Sequence, residues 1–229
     1  MIKQLLNDTH RAPENKAVSG ETIGELINLA GRQRMLSQRI VLHVLLAAQG
    51  DDRAIDIARQ CLSIFAASHA ELVGGNDRLP GVFSEALRQL YFGSHRADER
   101  IRRFIGDAER AISLIPARLS GAQAAADALV TQASPLLELL QSITLGYQNE
   151  MRNVERAASA RDAQLAEQLG RISMQANIVA INARISAGRA GPYGREFAVV
   201  TSLLSDIVKE MERMIHGVVA ARGTAPRLR

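Results

Sequence analysis

The chain has 229 residues and a net charge of +4, with 47% hydrophobic residues, only 3% aromatics and no tryptophan. That hydrophobic share supports a folded core, while the scarcity of aromatics argues against a β-rich domain or an aromatic-lined substrate pocket. The basic excess is arginine, since Lys3, Lys16 and Lys209 are the only lysines; it lacks the Lys/Arg clusters with stacking aromatics that nucleic-acid surfaces use, so no nucleic-acid partner is expected.

Residues 1–20 are polar, carry Pro13 and Gly20, and lack the apolar core of a signal peptide, so they read as a tail. The longest apolar run, near Ile40–Ala48, is too short to span a bilayer. A cytoplasmic chain without a membrane span is expected. Helices are predicted from Glu21 to Gln49, ended by Gly50, and from Arg53 to Val73, ended by Gly74 and Gly75. A third is predicted from after Pro80 to Ile115, where Pro116 stops it. A short helical piece at Ala117–Thr131 precedes a long helix that starts at Pro135, capped by Ser134, and runs to Gly188. Gly191-Pro192-Tyr193-Gly194 signals a turn, a last helix runs from Arg195 to Val219, and residues 221–229 form a second tail.

The last two helices carry heptad seams. In the final one Phe197, Val200, Leu204, Ile207, Met211, Met214 and Val218 alternate by three and four; in the long one Leu165, Leu169, Ile172, Ala176, Val179 and Ala183 do the same. These seams are expected to face each other around the 191–194 turn. The final helix, about 40 Å long, covers only the second half of the long one. The first half is therefore expected to pack with the upstream helices. The resulting expectation is all-α: a four-helix unit at 21–155 continued by the long helix into an antiparallel hairpin at 156–220. A lone hairpin buries little, so dimerisation into four helices is the natural remedy.

The first helix departs from plain packing. Ile23, Ile27, Ala30, Arg34, Ser37, Val41, Val44 and Ala48 form a seam that is apolar except at Arg34 and Ser37. Between Glu25 and Asp51 there is no acidic residue, so Arg32, Arg34 and Arg39 have no local carboxylate one turn away. A guanidinium in such a seam is costly unless neutralised. A carboxylate from another helix, such as Glu71, Asp98 or Glu150, is one answer, and snorkelling to water is another. A bound oxyanion is the third, for which the planar fork of arginine is suited. Across a dimer axis two Arg34 side chains would converge and share such an anion, with Gly31, one turn earlier, allowing close approach.

The stretch Asn28-Leu29-Ala30-Gly31-Arg32-Gln33-Arg34-Met35-Leu36-Ser37-Gln38-Arg39 closely resembles the opening helix of the sensor domain of type IV pilus methyl-accepting chemoreceptors. A looser version occurs in nitrate/nitrite-sensing histidine kinases. His69-Ala70-Glu71-Leu72 and Pro135-Leu136-Leu137-Glu138 are similar to downstream features of the same domain. The resemblance covers about residues 20–155. It implies a dimerising four-helix sensor with the anion, nitrate or nitrite foremost, held at the interface by Arg34 near Gly31, and Arg32, Ser37, Gln38 and Arg39 as supporting candidates.

A second resemblance, at about 165–220, is to the hairpin tip of a chemoreceptor signalling domain. It is carried by Gln175-Ala176-Asn177-Ile178-Val179-Ala180-Ile181-Asn182-Ala183 and by Gly194-Arg195-Glu196-Phe197-Ala198-Val199-Val200. It implies a coupling protein or histidine kinase as partner, with Asn182, Arg184, Arg189 and Arg195 as candidate contacts. The sequence departs from that family's pattern at Arg184, Ser186, Gly188 and Glu196, which changes the polar surface of the tip. No catalytic nucleophile–base pair is present, and the scattered histidines lack metal-ligand spacing, so neither an enzyme nor a cofactor or metal is expected. Cys61, the single cysteine, reads as a small buried hydrophobe. The alternative to a soluble anion receptor is a ligand-free helical scaffold that dimerises and binds signalling partners.

Overall fold

The structure, a computed structural model, describes residues 18–223; most of the expected N-terminal tail and the last six residues lie outside them. Every regular element described is helical: α1 (Gly20–Ala48), α2 (Ala54–Gly74), α3 (Glu85–Phe92), α4 (Ala97–Leu114), α5 (Ala122–Arg189), a 3-10 turn at Gly191–Gly194, and α6 (Arg195–Gly223). Among the described residues no helix is long and apolar enough to cross a membrane. The chain divides into two compact units, Met1–Val154 and Glu155–Arg229.

The first unit is a four-helix bundle. Ser19 caps α1 by accepting the Thr22 N–H at 3.1 Å. α2 runs back along α1, tied to it by Gln33 donating to the Phe65 carbonyl, and the loop after α2 is tied to α1 by Arg78 and Glu25. At the end of α2 the chain crosses itself so closely that a Cβ on Gly75 would lie 2.5 Å from the Leu79 carbonyl oxygen; with φ +74, this position needs glycine. α3 and α4 supply the third layer. α5 returns against α4, where Arg100 donates to the Pro135 carbonyl and Gln132 to Asp107, and then along α1, where Met151 packs over Gly20. Phe65 and Phe104, both fully buried, meet edge to face at 5.6 Å in the centre.

Two expectations fail here. The third helix is not continuous: it breaks into α3 and α4 at residues 93–96, with Arg96 in the left-handed region at φ 48. On one straight helix Tyr91 and Ala97, six residues apart, would stand about 120° apart; the break lets both be buried. Pro135 does not open a helix but lies inside α5. Its missing N–H leaves the Thr131 carbonyl without an intrahelical donor. Buried Leu129 and Leu136 on either side of it keep the helix in register through the defect.

The second unit is an antiparallel hairpin, with α5 and α6 joined by the 3-10 turn. Its packing corrects the expected seam. Leu165, Leu169, Ile172 and Val179 of α5 and Val200, Ile207 and Met214 of α6 are exposed, whereas the seam positions Ala176, Ala183, Leu204 and Met211 are half-buried; the seam positions Phe197 and Val218 have side chains outside the description. The buried positions are Ser173, Ala180 and Ala187 on α5 and Thr201, Ser205 and Val208 on α6. Small side chains let the two backbones approach closely, and the Ser173 hydroxyl reaches the Val208 carbonyl at 3.5 Å. The large apolar stripes are left on the outside.

Replacing Pro135 by alanine restores a helix hydrogen bond and removes a ring clash, together about 3 kcal/mol. The looser unfolded chain gives back roughly 1 kcal/mol. Pro135→Ala is therefore expected to raise stability by about 2 kcal/mol, measured by urea unfolding.

Candidate functional site

On α1 the buried register is Ile23, Leu26, Ala30, Gln33, Ser37, Ile40, Val44 and Ala47, every one of them buried. It alternates by three and four, one phase away from the seam expected through Arg34. The polar residue at the centre is therefore Gln33, with no exposure at all; Arg34 stands at the edge of the core, half-buried. Gln33 donates its Nε2 to the Phe65 carbonyl at 3.4 Å, and its Oε1 is buried without a partner.

Arg34 leans on α5. Its Nη2 donates to Gln141 Oε1 at 3.4 Å, and its Nε is buried without a hydrogen-bond partner. Among the described residues it forms no ion pair. The carboxylates that were open as partners are occupied or face elsewhere: Asp98 holds His69 and Arg102, Glu150 accepts from Ser84, and Glu71 lines a groove with Arg32.

At roughly 100° per residue, Gly31, Arg34 and Gln38 share one face of α1 within an arc of about 60°. A Cβ at Gly31 would meet nothing within 4 Å, so the space beside Arg34 is open. Met35 and Leu42, both about half exposed at 53% and 52%, border this face, and exposed Leu145 lies one turn beyond Gln141 on α5. Arg32 and Arg39 point more than a third of a turn away from Arg34. Arg32 enters the groove of Glu25, Glu71, Asn76 and Arg78, and Arg39 is exposed, its carbonyl bonded to His43 Nδ1 at 2.8 Å. Ser37 is buried and spends its proton on the Arg34 carbonyl at 2.8 Å. Of the six α1 candidates, the fold thus gathers Arg34, Gly31 and Gln38 and disperses the rest.

In the hairpin, Asn182 and Arg189 are exposed. Arg184 is exposed as well and donates to Ser205 of α6 at 2.8 Å. Arg195 opens α6, and its side chain lies outside the described residues.

A polar cluster that sequence reading passed over sits between α2, α3, α4 and α5. His69 Nε2 lies 2.9 Å from Asp98 Oδ1, and Arg102 Nε donates to both carboxylate oxygens of Asp98 at 2.9 Å. Burial pulls the His69 pKa below its ordinary value against the attraction of Asp98. Burial alone would raise the Asp98 carboxyl, but hydrogen bonds from Arg102 and His69 outweigh it and hold the carboxyl below the usual range. The hydroxyls of Tyr91 and Tyr147 approach to 3.4 Å, and the Tyr147 hydroxyl also donates to the Leu72 carbonyl. Burial raises Tyr147 to about 12 and Tyr91 well above its ordinary value, so both stay neutral. The signal for this cluster was the placement of His69 on the apolar face of its helix. Among the described residues no group of His, Cys, Asp and Glu is placed to hold a metal.

Residues 19–143 match the family model described as the type IV pili methyl-accepting chemotaxis transducer N-terminal domain, PilJ. No curated protein and no solved structure matches the chain.

Because the Asp98 pKa is depressed on folding, its contribution is present above the unfolded carboxylate range and is lost as pH falls through the folded value. Asp98→Asn is therefore expected to cost about 1–2 kcal/mol near neutral pH. The gap from wild type should close in strong acid, and urea unfolding followed across pH measures it.

Proposed function

Because the chain belongs to the family of type IV pili methyl-accepting chemotaxis transducer N-terminal domains, we propose that it is a signal-transduction receptor whose first helix senses a small anion, nitrate or nitrite foremost, between two copies of the chain. The observation that carries this reading is Arg34: a guanidinium with a buried, unpartnered Nε and no ion pair among the described residues, next to open space at Gly31. A buried donor without an acceptor is costly, and a planar oxyanion is the acceptor its fork fits. Arg34, Gly31 and Gln38 form the proposed site; Arg32, Ser37 and Arg39 contribute less, because their side chains point elsewhere or are already bonded.

The half-exposed Met35 and Leu42 beside Arg34 favour a second copy of α1 as the cover of this face. Two guanidiniums would then meet across the axis, and the anion would relieve their repulsion. The outward apolar stripes of the hairpin are a further surface that dimerisation would cover. Anion binding would favour one of two arrangements of the helices, passed along α5 toward the turn at 191–194. There a coupling protein or histidine kinase would read it through Asn182, Arg189 and Arg195. In this reading the receptor samples a cytoplasmic pool of its ligand.

The second reading, a ligand-free helical scaffold, is favoured by the contact of Arg34 with Gln141 and by the hydrogen bond of Arg184 to Ser205. It requires that Arg34 be satisfied from within the chain.

A thermal-shift panel of nitrate, nitrite, chloride, sulfate and small carboxylates separates the two. The receptor reading expects a stabilisation of about 2.7 kcal/mol at one hundred times the Kd, absent in Arg34→Ala. Sedimentation should show the dimer strengthened by the same anion. If no anion shifts wild type relative to Arg34→Ala, the scaffold reading stands.

A further inference from the structure

Asp98, in the first turn of α4, is doubly bonded by Arg102 and stays ionised, so His69 donates its Nε2–H to it. In the neutral imidazole Nδ1 is then a bare acceptor. That Nδ1 is buried without a partner, in a side chain only 2% exposed as a residue. On α1, Gln33 commits its Nε2 to the Phe65 carbonyl and leaves Oε1 buried and bare. Turning the amide over would set oxygen against oxygen at Phe65, which fixes its orientation. Phe65 and His69 stand one helical turn apart on α2. Two acceptors, one on α1 and one on α2, are therefore each buried in the core without a hydrogen, an arrangement that buried polar groups seldom keep.

We propose that His69 is a proton-binding switch whose protonated Nδ1–H is taken by Gln33 Oε1, directly or through one internal water. When neutral, His69 ties α2 to α4 alone. When charged, it bridges Asp98 on α4 and Gln33 on α1, and the two bare acceptors become a donor and an acceptor. Gln33 precedes Arg34, so drawing it toward α2 turns the guanidinium at the edge of the core. Only this last consequence rests on the anion reading; the proton switch stands without it.

The charges acting on His69 are Asp98, which favours the imidazolium, and Arg102, which opposes it, both on α4. From α3, the Tyr91 ring lies 6.2 Å away, and from α5, Tyr147 is bonded to Tyr91; both phenols are neutral. Gln33, on α1, is uncharged. Burial outweighs the attraction of Asp98 and brings the transition below the ordinary histidine value of 6.5. With the folded pKa lowered, the unfolded chain binds the proton more readily. Stability is full above 6.5 and declines as pH falls through the folded value; a bond to Gln33 limits that decline.

The test is a pH titration of the His69 ring by long-range nitrogen–proton NMR on the full chain. Expected are the Nε2–H tautomer above pH 7, one midpoint below 6.5, and pH-dependent amide shifts in α1 around Gln33. Gln33→Leu should lower the midpoint by about half a unit or more and abolish those amide shifts. Gln33→Glu should move the midpoint upward, a pair of opposite effects that loosened packing does not produce. Arg34→Ala should leave the midpoint in place, whatever the anion panel shows. An Nδ1–H tautomer at neutral pH overturns the proposal, and so does a midpoint indifferent to both Gln33 substitutions. Should Gln33→Leu not fold, as judged by circular dichroism, Gln33→Glu decides alone.

Discussion

A fully buried amide on α1 sets the orientation of the helix on which the candidate site stands. Gln33 donates to the Phe65 carbonyl of α2 at 3.4 Å. Holding that bond places Leu26, Ala30, Ile40 and Val44 toward the core. It therefore leaves Arg34, one residue on and about 100° around, at the border between core and solvent. A guanidinium there can place its aliphatic stem on apolar neighbours and still present its fork outward. Were α1 rotated to centre Arg34, the charge would be desolvated without compensation, a far larger cost than a half-satisfied amide. The order of those two penalties explains why glutamine goes in and arginine stays at the edge.

The same orientation sorts the other polar residues of α1. Gly31 and Gln38 come round to the Arg34 side, while Arg32 turns into a groove with two carboxylates and Arg39 into solvent. The arginines of this helix thus differ in role although they are close in sequence. Arg32 has acidic neighbours in its groove, Arg39 has water, and Arg34 has a neutral amide at a long distance.

Packing in the hairpin shows another competition between size and proximity. Two helices that meet through alanine, serine and threonine approach more closely than two that meet through leucine and isoleucine, and they gain dispersion contacts between backbones. The larger side chains then face outward on both helices. Such a unit packs through its small residues yet retains exposed apolar surface of the kind that partners cover.

Helix-forming composition, the glycine and proline punctuation at 50, 74–75, 116 and 191–194, and the spacing of apolar residues determined by themselves that this chain is a set of amphipathic helices ending in a hairpin. The residues Asn28 to Arg39 likewise carried the family relationship and the interest of Arg34, because those signals are local. Which of two adjacent heptad phases on α1 is buried was not legible, since both phases are apolar but for two polar positions. Only packing against α2 and α5 chose the one through Gln33. The break at residues 93–96 and the passage of α5 through Pro135 were likewise decided by burial of Tyr91, Ala97, Leu129 and Leu136, energies that depend on neighbours distant in the chain. For the same reason the meeting of His69 with Asp98 belongs to the tertiary structure alone. A hydrogen bond between residues 29 positions apart leaves no periodic trace in either segment.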